Sequence, residues 1–392
     1  MTRRLTRAEQ RALGQVRFNP GITRNELADE LGLSVTTINP LVARLLDAGE
    51  VSEVLPTAAE RHGLGRPRAA LVTTGQRDAI VVVTWGHGVL DRAVATFDRS
   101  ILWRQRTLVS GHPTREALLD AGREALAAFP GTAESGRPGR AVFGLPVPYE
   151  HGVGVGSPAG QAEPGGFAAW FNEDPQSLLS RELGVPVHVE NDANLGALGE
   201  ARHGAAAGEP VAIYVKLSGQ GIGCGLTIGG ELFSGSRGFA GEIAHMRVDD
   251  SSQIICSCGS RGCLEEKIGP NMLRQLQDNY GPTTYADLLI MVEAGTPGPI
   301  RLLQDAGRVA GRALADICTF FNPGALVVDA GSPAASQILK RGIQEQIDQS
   351  TPPFSRKGLQ IQPSGLGEDA AIQGALHIAR LAAIESMLGT IK

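Results

Sequence analysis

Three cysteines and one histidine lie close together in the second half of the sequence. His245 is followed by Cys256, Cys258 and Cys263. Thiolate sulfur and imidazole nitrogen are donors that zinc prefers, and four of them complete a tetrahedral shell. A closed shell leaves no position for a reacting water, so the pattern predicts a structural zinc site that holds a loop in place. The alternative is a set of unconnected free thiols in a glycine-rich loop.

Two carboxylates flank this pattern. Glu242 precedes His245 by three positions, and Glu265 follows Cys263 by two. Carboxylates accept hydrogen bonds from ligand hydroxyl groups, and a histidine that binds metal through one ring nitrogen can present the other to a ligand. The arrangement indicates a polar ligand site beside the metal.

The other cysteines do not indicate disulfides. Cys224 and Cys318 lie in apolar surroundings typical of buried thiols, and no signal-peptide pattern precedes the first helix. No apolar run reaches the roughly 18 residues of a membrane span. We therefore expect a cytoplasmic protein.

Composition limits the classes of function. The chain has 392 residues and a net charge of -5, which allows two or three globular domains and argues against nucleic-acid binding over the whole surface. Residues 1–70 hold ten arginines and eight acidic residues. The N-terminal end is therefore the weakly electropositive part of the molecule.

Residues 1–75 have the pattern of a winged helix-turn-helix. Helical spacing runs over residues 6–16, Thr23 and Glu26 form a capping box for a second helix, and Ser34 caps a third that extends to about Ala48. Residues 51–55 and 69–73 then have the pattern of two strands around a polar wing. We expect a DNA-binding domain over residues 1–75 and a second domain over residues 76–392. The alternative is a winged helix used only for protein contacts.

The third helix supplies the candidate DNA contacts. Short side chains near its start suit base edges in the major groove: Val35, Thr36, Thr37 and Asn39. Arg44, further along, would lie against phosphate or against the domain's own surface. Arg66, in the wing's Gly-Arg-Pro segment, suits a narrow minor groove. Pro40 lacks a backbone donor and predicts a kink in this helix.

The remaining sequence alternates between strand and helix patterns, which favours an α/β fold. Strands are expected at residues 79–83, from about 93, and at 140–143, 187–190, 212–217, 224–228 and 325–329. Helices are expected at residues 115–128, 175–182, 193–202, 299–321 and 369–388.

Several segments together resemble the ROK family of sugar kinases and sugar-responsive transcription regulators. The similar segments are the winged helix with Gly65-Arg66-Pro67, residues 189–194, the loop 221–225, residues 242–245 and residues 256–265. The resemblance spans nearly the whole chain. It implies a winged helix-turn-helix followed by a two-lobed, actin-like ATPase (sugar kinase-like) fold.

The resemblance also implies which residues contact a sugar. In the kinases, the aspartate that matches Asp192 is the general base for the attacking sugar hydroxyl. The implied sugar-binding residues are Asn191, Asp192, Glu242, His245 and Glu265. Asp192 could instead serve as the cap of the helix that begins at Ala193. The segment 156–158 and Trp170 are similar to the family's sugar-side loop.

Departures from the family pattern argue against phosphoryl transfer. The kinases begin their first hairpin with Asp-x-Gly-x-Thr, whereas this chain has Thr84 and Gly88 at the first and last of these positions. Ala244 stands where the family has glycine, and its methyl group would crowd the pocket. Loss of the metal-organising carboxylate removes electrostatic stabilisation that phosphoryl transfer requires.

We therefore expect a DNA-binding repressor, not an enzyme, whose affinity for operator DNA responds to a sugar or sugar derivative. A homodimer or higher homo-oligomer would pair the winged helices on two half-sites. The alternatives are an active sugar kinase with an appended DNA-binding domain and a regulator controlled by a protein partner.

Overall fold

The structure of the protein is a computed structural model. It describes residues 5–19, 21–54, 69–73, 79–86, 88–97, 99–109, 113–129, 138–151, 153–155, 173–219, 221–256 and 258–389. The predicted minor-groove residue Arg66, the rest of the wing loop, the segment 156–158 and Trp170 lie outside these ranges.

Three short helices form the body of the N-terminal domain. They are α1 (Arg7–Phe18), α2 (Arg24–Leu31) and α3 (Val35–Asp47). Each begins after a hydroxyl residue, Thr6, Thr23 or Ser34, whose side chain accepts a hydrogen bond from a backbone N–H three residues on. The predicted caps of α2 and α3 are confirmed. The α3 helix is continuous across Pro40. This proline is exposed.

A three-stranded sheet completes this domain. Its strands are β1 (Ile22–Thr23), β2 (Val51–Val54) and β3 (Ala70–Thr73), in the order β1-β3-β2. All pairings are antiparallel. The two predicted strands are confirmed, and β1 is an addition that the sequence pattern did not indicate.

The rest of the described chain contains two five-stranded sheets. Further strands are β4 (Ala79–Gly86), β5 (Val89–Thr96), β6 (Ile101–Leu108), β7 (Arg140–Leu145), β8 (Tyr149–Glu150), β9 (Gly154–Val155), β10 (Val187–Asn191), β11 (Val211–Ser218), β12 (Gly221–Ile228), β13 (Glu231–Leu232), β14 (Ala325–Asp329) and β15 (Gln360–Pro363). One sheet has the order β10-β7-β4-β5-β6 and the other has the order β13-β12-β11-β14-β15. Each sheet joins antiparallel hairpins to parallel strands, as the two-lobed fold requires.

The described ranges contain ten further helices, several of which pack on these sheets. They are α4 (Arg115–Ala127), α5 (Pro175–Leu183), α6 (Asp192–His203), α7 (Leu264–Lys267), α8 (Gly269–Tyr280), α9 (Tyr285–Glu293), α10 (Pro297–Phe321), α11 (Pro333–Ser350), α12 (Pro353–Arg356) and α13 (Ala370–Gly389). Among the helices of the described ranges, none is both long enough and apolar enough to cross a membrane.

The central strand β4 is buried on both faces, which explains why its sequence is apolar without alternation. Val81 and Val83 pack into the core on one face of the sheet, whereas Ile80 and Val82 pack against α13 and neighbouring residues on the other. A strand buried on both faces has a continuous run of apolar residues. This strand ends at Gly86, which lines two adjoining cavities.

Helices α6 and α13 lie in close contact because glycine occurs at their crossing. A Cβ atom on Gly199 would overlap the carbonyl oxygen of Ala370, and one on Gly374 would overlap the carbonyl oxygen of Leu195. The two helix backbones therefore approach each other directly. This crossing fixes the start of α6, where Asp192 lies, relative to α13.

Candidate functional site

Four potential metal donors come together in the structure as the sequence predicts. His245 ends a short 3₁₀ helix, and Cys263 precedes α7. One donor atom from each of His245, Cys256, Cys258 and Cys263 lies within 4.8 Å of the others. A tight turn places two of the cysteines: Cys256 N–H donates to the Ser260 carbonyl, and Gly259 adopts a φ of 83°.

The distances in this cluster fit metal coordination. Sγ of Cys256 lies 3.6 Å from Nδ1 of His245, and Sγ of Cys258 lies 3.6 Å from Sγ of Cys263. Tetrahedral bonds of about 2.3 Å to sulfur place two ligand atoms about 3.5–3.8 Å apart. A disulfide would bring two sulfurs to about 2.05 Å. The geometry therefore suits a metal ion held by all four side chains, and excludes a disulfide between Cys258 and Cys263.

A small cavity of about 140 Å³ lies next to this cluster. Its lining includes all five residues that the resemblance implies for sugar binding: Asn191, Asp192, Glu242, His245 and Glu265. Ala244, expected to crowd the pocket, also lines it. His245 thus contributes to both the metal cluster and the cavity. The structure brings the predicted residues together, while their contacts with a ligand stay predictions.

Asn191 is the cap of α6, which corrects the alternative role suggested for Asp192. The Oδ1 atom of Asn191 accepts hydrogen bonds from the N–H groups of Ala193 and Asn194 at 2.9 and 3.1 Å. Its Nδ2 atom donates to the carbonyl of Val147. Asp192 is the first residue within the helix and is not its cap. Asp192 therefore lines the cavity and does not cap the helix.

The partner of Asp192 is Lys216, a residue that the sequence analysis did not identify. The ammonium of Lys216, on β11, donates a hydrogen bond to Oδ2 of Asp192. The side chains of Lys216 and Asp192 are 10% and 8% exposed, respectively. Lys216 stands among the apolar residues of a predicted strand. Because a buried lysine requires a partner, this position could have indicated a charge pair from sequence alone.

Two other cavity carboxyls are easily protonated. Burial, followed by the charges of Glu265 and Asp192, raises the pKa of Glu242 to about 7. Burial, followed by the charge of Glu266, raises the pKa of Glu265 to about 7. Each can therefore act as a hydrogen-bond acceptor or, when protonated, as a donor to a neutral polyhydroxyl ligand.

A second cavity of about 320 Å³ adjoins the first and shares Gly86 and Lys216 with it. Its acidic lining residues are engaged: Asp91 pairs with Arg104 at 2.6 Å, Glu368 pairs with Arg106, and Asp329 accepts from Tyr214 at 2.6 Å. The Lys216 ammonium lies so close to Gly86 that a Cβ there would overlap it. Lys216 thus stands between the two cavities.

The candidate DNA-contacting residues share an exposed surface at the start of α3. Val35, Thr36, Thr37 and Asn39 are all exposed. The hydroxyls of Thr36 and Thr37 lie 2.7 and 2.9 Å from that of Ser34. Asn39 accepts a hydrogen bond from Arg24.

Arg44 is engaged within the domain. Its Nε atom lies 2.6 Å from Oε1 of Glu9, a side chain with no exposed surface. This is the second of the two placements considered for Arg44, against the domain's own surface. A phosphate contact by this arginine remains a prediction.

Comparisons with known proteins agree with this architecture. Residues 5–49 match a winged helix-turn-helix DNA-binding domain, and residues 153–382 match the ROK family. The xylose repressor of Bacillus spizizenii is 27% identical over 389 residues, covering 97% of this chain and 95% of the repressor. A glucokinase of Thermotoga maritima is 30% identical over 262 residues, covering 60% of this chain and 80% of the kinase.

Solved structures give the same fold. A ROK family transcriptional regulator, a homologue of the E. coli MLC protein, superposes with a TM-score of 0.72 at 21% identity, covering 98% of this chain and 99% of the regulator. A ROK family glucokinase from Streptomyces griseus, in complex with glucose and AMPPNP, gives a TM-score of 0.64 at 26% identity, covering 77% of this chain and 99% of the kinase. Since the family match extends over more than half of the sequence, the chain belongs to the ROK family and carries a winged helix-turn-helix domain at its N-terminal end.

Proposed function

We propose that the protein is a DNA-binding transcription repressor whose second domain binds a sugar and does not phosphorylate it. The observation that carries this proposal is the buried pair of Lys216 and Asp192 at the boundary of two cavities. The start of α3, the candidate DNA-contacting helix, is exposed. The similarity to xylose repressors over nearly the full length supports the regulatory role.

The small cavity suits a single sugar ring. Its volume of about 140 Å³ lies well below that of pockets for drug-sized ligands, about 300–1,000 Å³. Carboxyls at Glu242 and Glu265 offer acceptors to neighbouring hydroxyls. Because two similar full-length proteins are named xylose repressors, xylose is the first effector to test.

Three features argue against phosphoryl transfer. The carboxylate of Asp192, which matches the general base of the kinases, is paired with the buried ammonium of Lys216. Thr84 lines the larger cavity where the kinase pattern has an aspartate. The remaining acidic groups there are paired with arginines or bonded to a tyrosine. The site therefore retains groups for binding a sugar without those that organise a nucleotide and its metal.

The Cys3His cluster is proposed to hold zinc in a structural role. Four protein donors leave no open position for water, so the ion would stabilise the segment between His245 and Cys263. That segment leads directly to Glu265, which also lines the sugar cavity. Zinc would thereby hold His245 and Glu265 in place for the ligand.

A continuous path links the cavity to the DNA-binding domain. Asp192 begins α6, which packs on α13 through Gly199 and Gly374. Arg380 of α13 then donates a hydrogen bond to Asn19, the residue that follows α1. We propose that closure of the cavity on a sugar shifts α6 and α13, and that this changes the spacing of paired winged helices in a homodimer or higher homo-oligomer. Binding to operator DNA would place the protein in the cytoplasm.

Sugar binding and turnover can be tested separately. Calorimetry with xylose and a panel of hexoses should give one binding sugar. Glu242→Gln should weaken binding of that sugar roughly 10- to 150-fold, the range for a hydrogen bond to a charged group.

A coupled assay with ATP should give no sugar phosphate. Turnover near about 1 per second, within the usual kinase range, would instead establish the kinase alternative. If no sugar binds while operator binding is normal, control by a protein partner is favoured.

A further inference from the structure

A second cluster of metal-type donors lies apart from the cysteines. His188 and Glu190 are two positions apart on β10, so their side chains extend from the same face of the strand. His151 follows β8 directly. One ligand atom from each of the three residues lies within 4.8 Å of the other two.

The contacts within this cluster are close to those of a coordination shell. Nε2 of His151 lies 3.3 Å from Oε2 of Glu190. The rings of His151 and His188 are 5.1 Å apart between centroids. Bonds of about 2.0–2.2 Å to nitrogen and oxygen place neighbouring ligand atoms about 3.0–3.5 Å apart. Only small side-chain rotations would therefore bring all three donors onto one ion.

The ring of His188 has an unsatisfied polar atom. Its Nε2 atom is buried, and among the residues that the structure describes it has no hydrogen-bond partner. Such atoms in folded proteins are usually satisfied by a protein group, a water or an ion. An ion bound by this atom would satisfy it.

Glu190 is already oriented by the residues that follow it. Its Oε1 atom accepts hydrogen bonds from the N–H of Asn191 at 2.7 Å and from Nδ2 of Asn194 at 2.9 Å. Oε2 is thereby directed towards His151. Outer-shell hydrogen bonds of this kind fix metal-binding carboxylates in other proteins.

We propose that His151, His188 and Glu190 form a second metal site, which takes a borderline divalent cation such as Zn²⁺. Two imidazoles and one carboxylate are a donor set suited to zinc or cobalt. Three protein ligands leave an open coordination position, and the His151 side chain is 42% exposed, so the ion can exchange with solvent. The Cys3His cluster, by contrast, provides a closed shell.

The location gives the site a regulatory use. The ion would tie the segment after β8 to β10, and β10 ends at Asn191, which lines the sugar cavity. Occupancy would therefore stiffen one wall of that cavity. The alternative is an ion pair between a protonated His151 and Glu190 that binds no metal.

Cobalt binding to the full-length, untagged protein with its cysteine cluster filled by zinc tests the proposal. We expect one Co²⁺ per chain by equilibrium dialysis, without thiolate-to-cobalt charge-transfer absorption, because the ligands contain no sulfur. His151→Gln and His188→Gln should each weaken this binding at least about 10-fold, since even outer-shell changes cost that much. His203→Gln, which alters an exposed histidine at the end of α6, is the matched control.

Three results would overturn the proposal. These are no cobalt bound to the zinc-filled protein, bound cobalt with thiolate absorption, and bound cobalt that both histidine variants retain. Thermal unfolding without added metal shows whether each variant folds. The exposed position of His151 makes His151→Gln the variant that decides the outcome if His188→Gln does not fold.

Discussion

The pair of Lys216 and Asp192 has a direct energetic consequence. Each charge is nearly excluded from water, so each depends on the other for stabilisation. Replacing one partner leaves the other buried and unpaired.

A double-mutant cycle on this pair tests its burial. We expect Lys216→Met to lower the free energy of unfolding by about 3–5 kcal/mol, because an unpaired carboxylate remains inside the protein. The double variant Lys216→Met, Asp192→Asn should recover most of that loss. Urea denaturation of the four proteins measures the coupling. A cost below about 1 kcal/mol for Lys216→Met, typical of exposed pairs, would contradict the buried arrangement.

His377, on α13, gives a prediction for the dependence of stability on pH. Burial, followed by the charge of Arg202, lowers the pKa of His377 to about 4. Its Nε2 atom lies 3.9 Å from Glu231, but at this pKa the ring is neutral and the contact is not an ion pair at neutral pH. In the unfolded chain His377 has an ordinary pKa near 6.5, so the unfolded state binds the proton first as pH falls. Stability present above pH 6.5 is therefore lost as pH falls towards 4.

Between pH 7.5 and pH 5 this histidine should reduce the free energy of unfolding by about 2 kcal/mol. His377→Gln should show a correspondingly smaller decrease over the same range. Denaturant unfolding at a series of pH values makes the comparison. Equal slopes for His377→Gln and the original protein would show that His377 titrates normally in the folded state.

At the scale of single residues, the Cys3His cluster could be predicted from residue spacing, whereas the cavity could not. The four potential metal donors could be identified because cysteine and histidine at close spacing have few other uses. The cavity residues required resemblance to a family, since carboxylates are common in any sequence. Lys216 was missed because its partner lies on α6, which sequence spacing does not place opposite β11.

At the scale of secondary structure, capping residues made helix boundaries predictable. Thr23 and Ser34 mark the starts of α2 and α3 in both sequence and structure. Strand β6 was not predicted, because its edge position leaves polar residues such as Arg104 and Arg106 within the strand. Helix α11 was not predicted either, although Ser332 followed by Pro333 is a helix-start signal.

Removal of metal from the Cys3His cluster should affect residues 245–263, which run from the end of the short 3₁₀ helix at His245 to the start of α7. We expect Cys258→Ser to lose zinc, to lower the melting temperature and to weaken sugar binding by about 10-fold or more, because His245 and Glu265 lose their fixed positions. Cobalt substitution followed by thiolate charge-transfer absorption measures occupancy of this cluster. Cys318→Ala, which changes a buried cysteine outside the cluster, is the control. Unchanged sugar affinity in a metal-free Cys258→Ser protein would separate the cluster from the cavity.

At the scale of the whole molecule, we propose that α6 and α13 connect the ligand cavity to the DNA-binding domain. The cavity beside the cysteine cluster contacts the start of α6, and α13 contacts the residue that follows α1. Sequence patterns within either domain did not reveal these contacts. Long-range coupling of two sites typically amounts to about 1–3 kcal/mol.

The central claim is that a sugar bound near Asp192 changes affinity for DNA at α3. Its most direct test is a titration of the zinc-loaded protein onto DNA from upstream of its own coding region, by fluorescence anisotropy, with and without xylose and the other sugars. We expect one sugar to reduce operator affinity about 5- to 150-fold, and Glu242→Gln to bind the operator normally but to lose this response. Operator affinity that no sugar changes, in protein shown by calorimetry to bind one, would contradict the account.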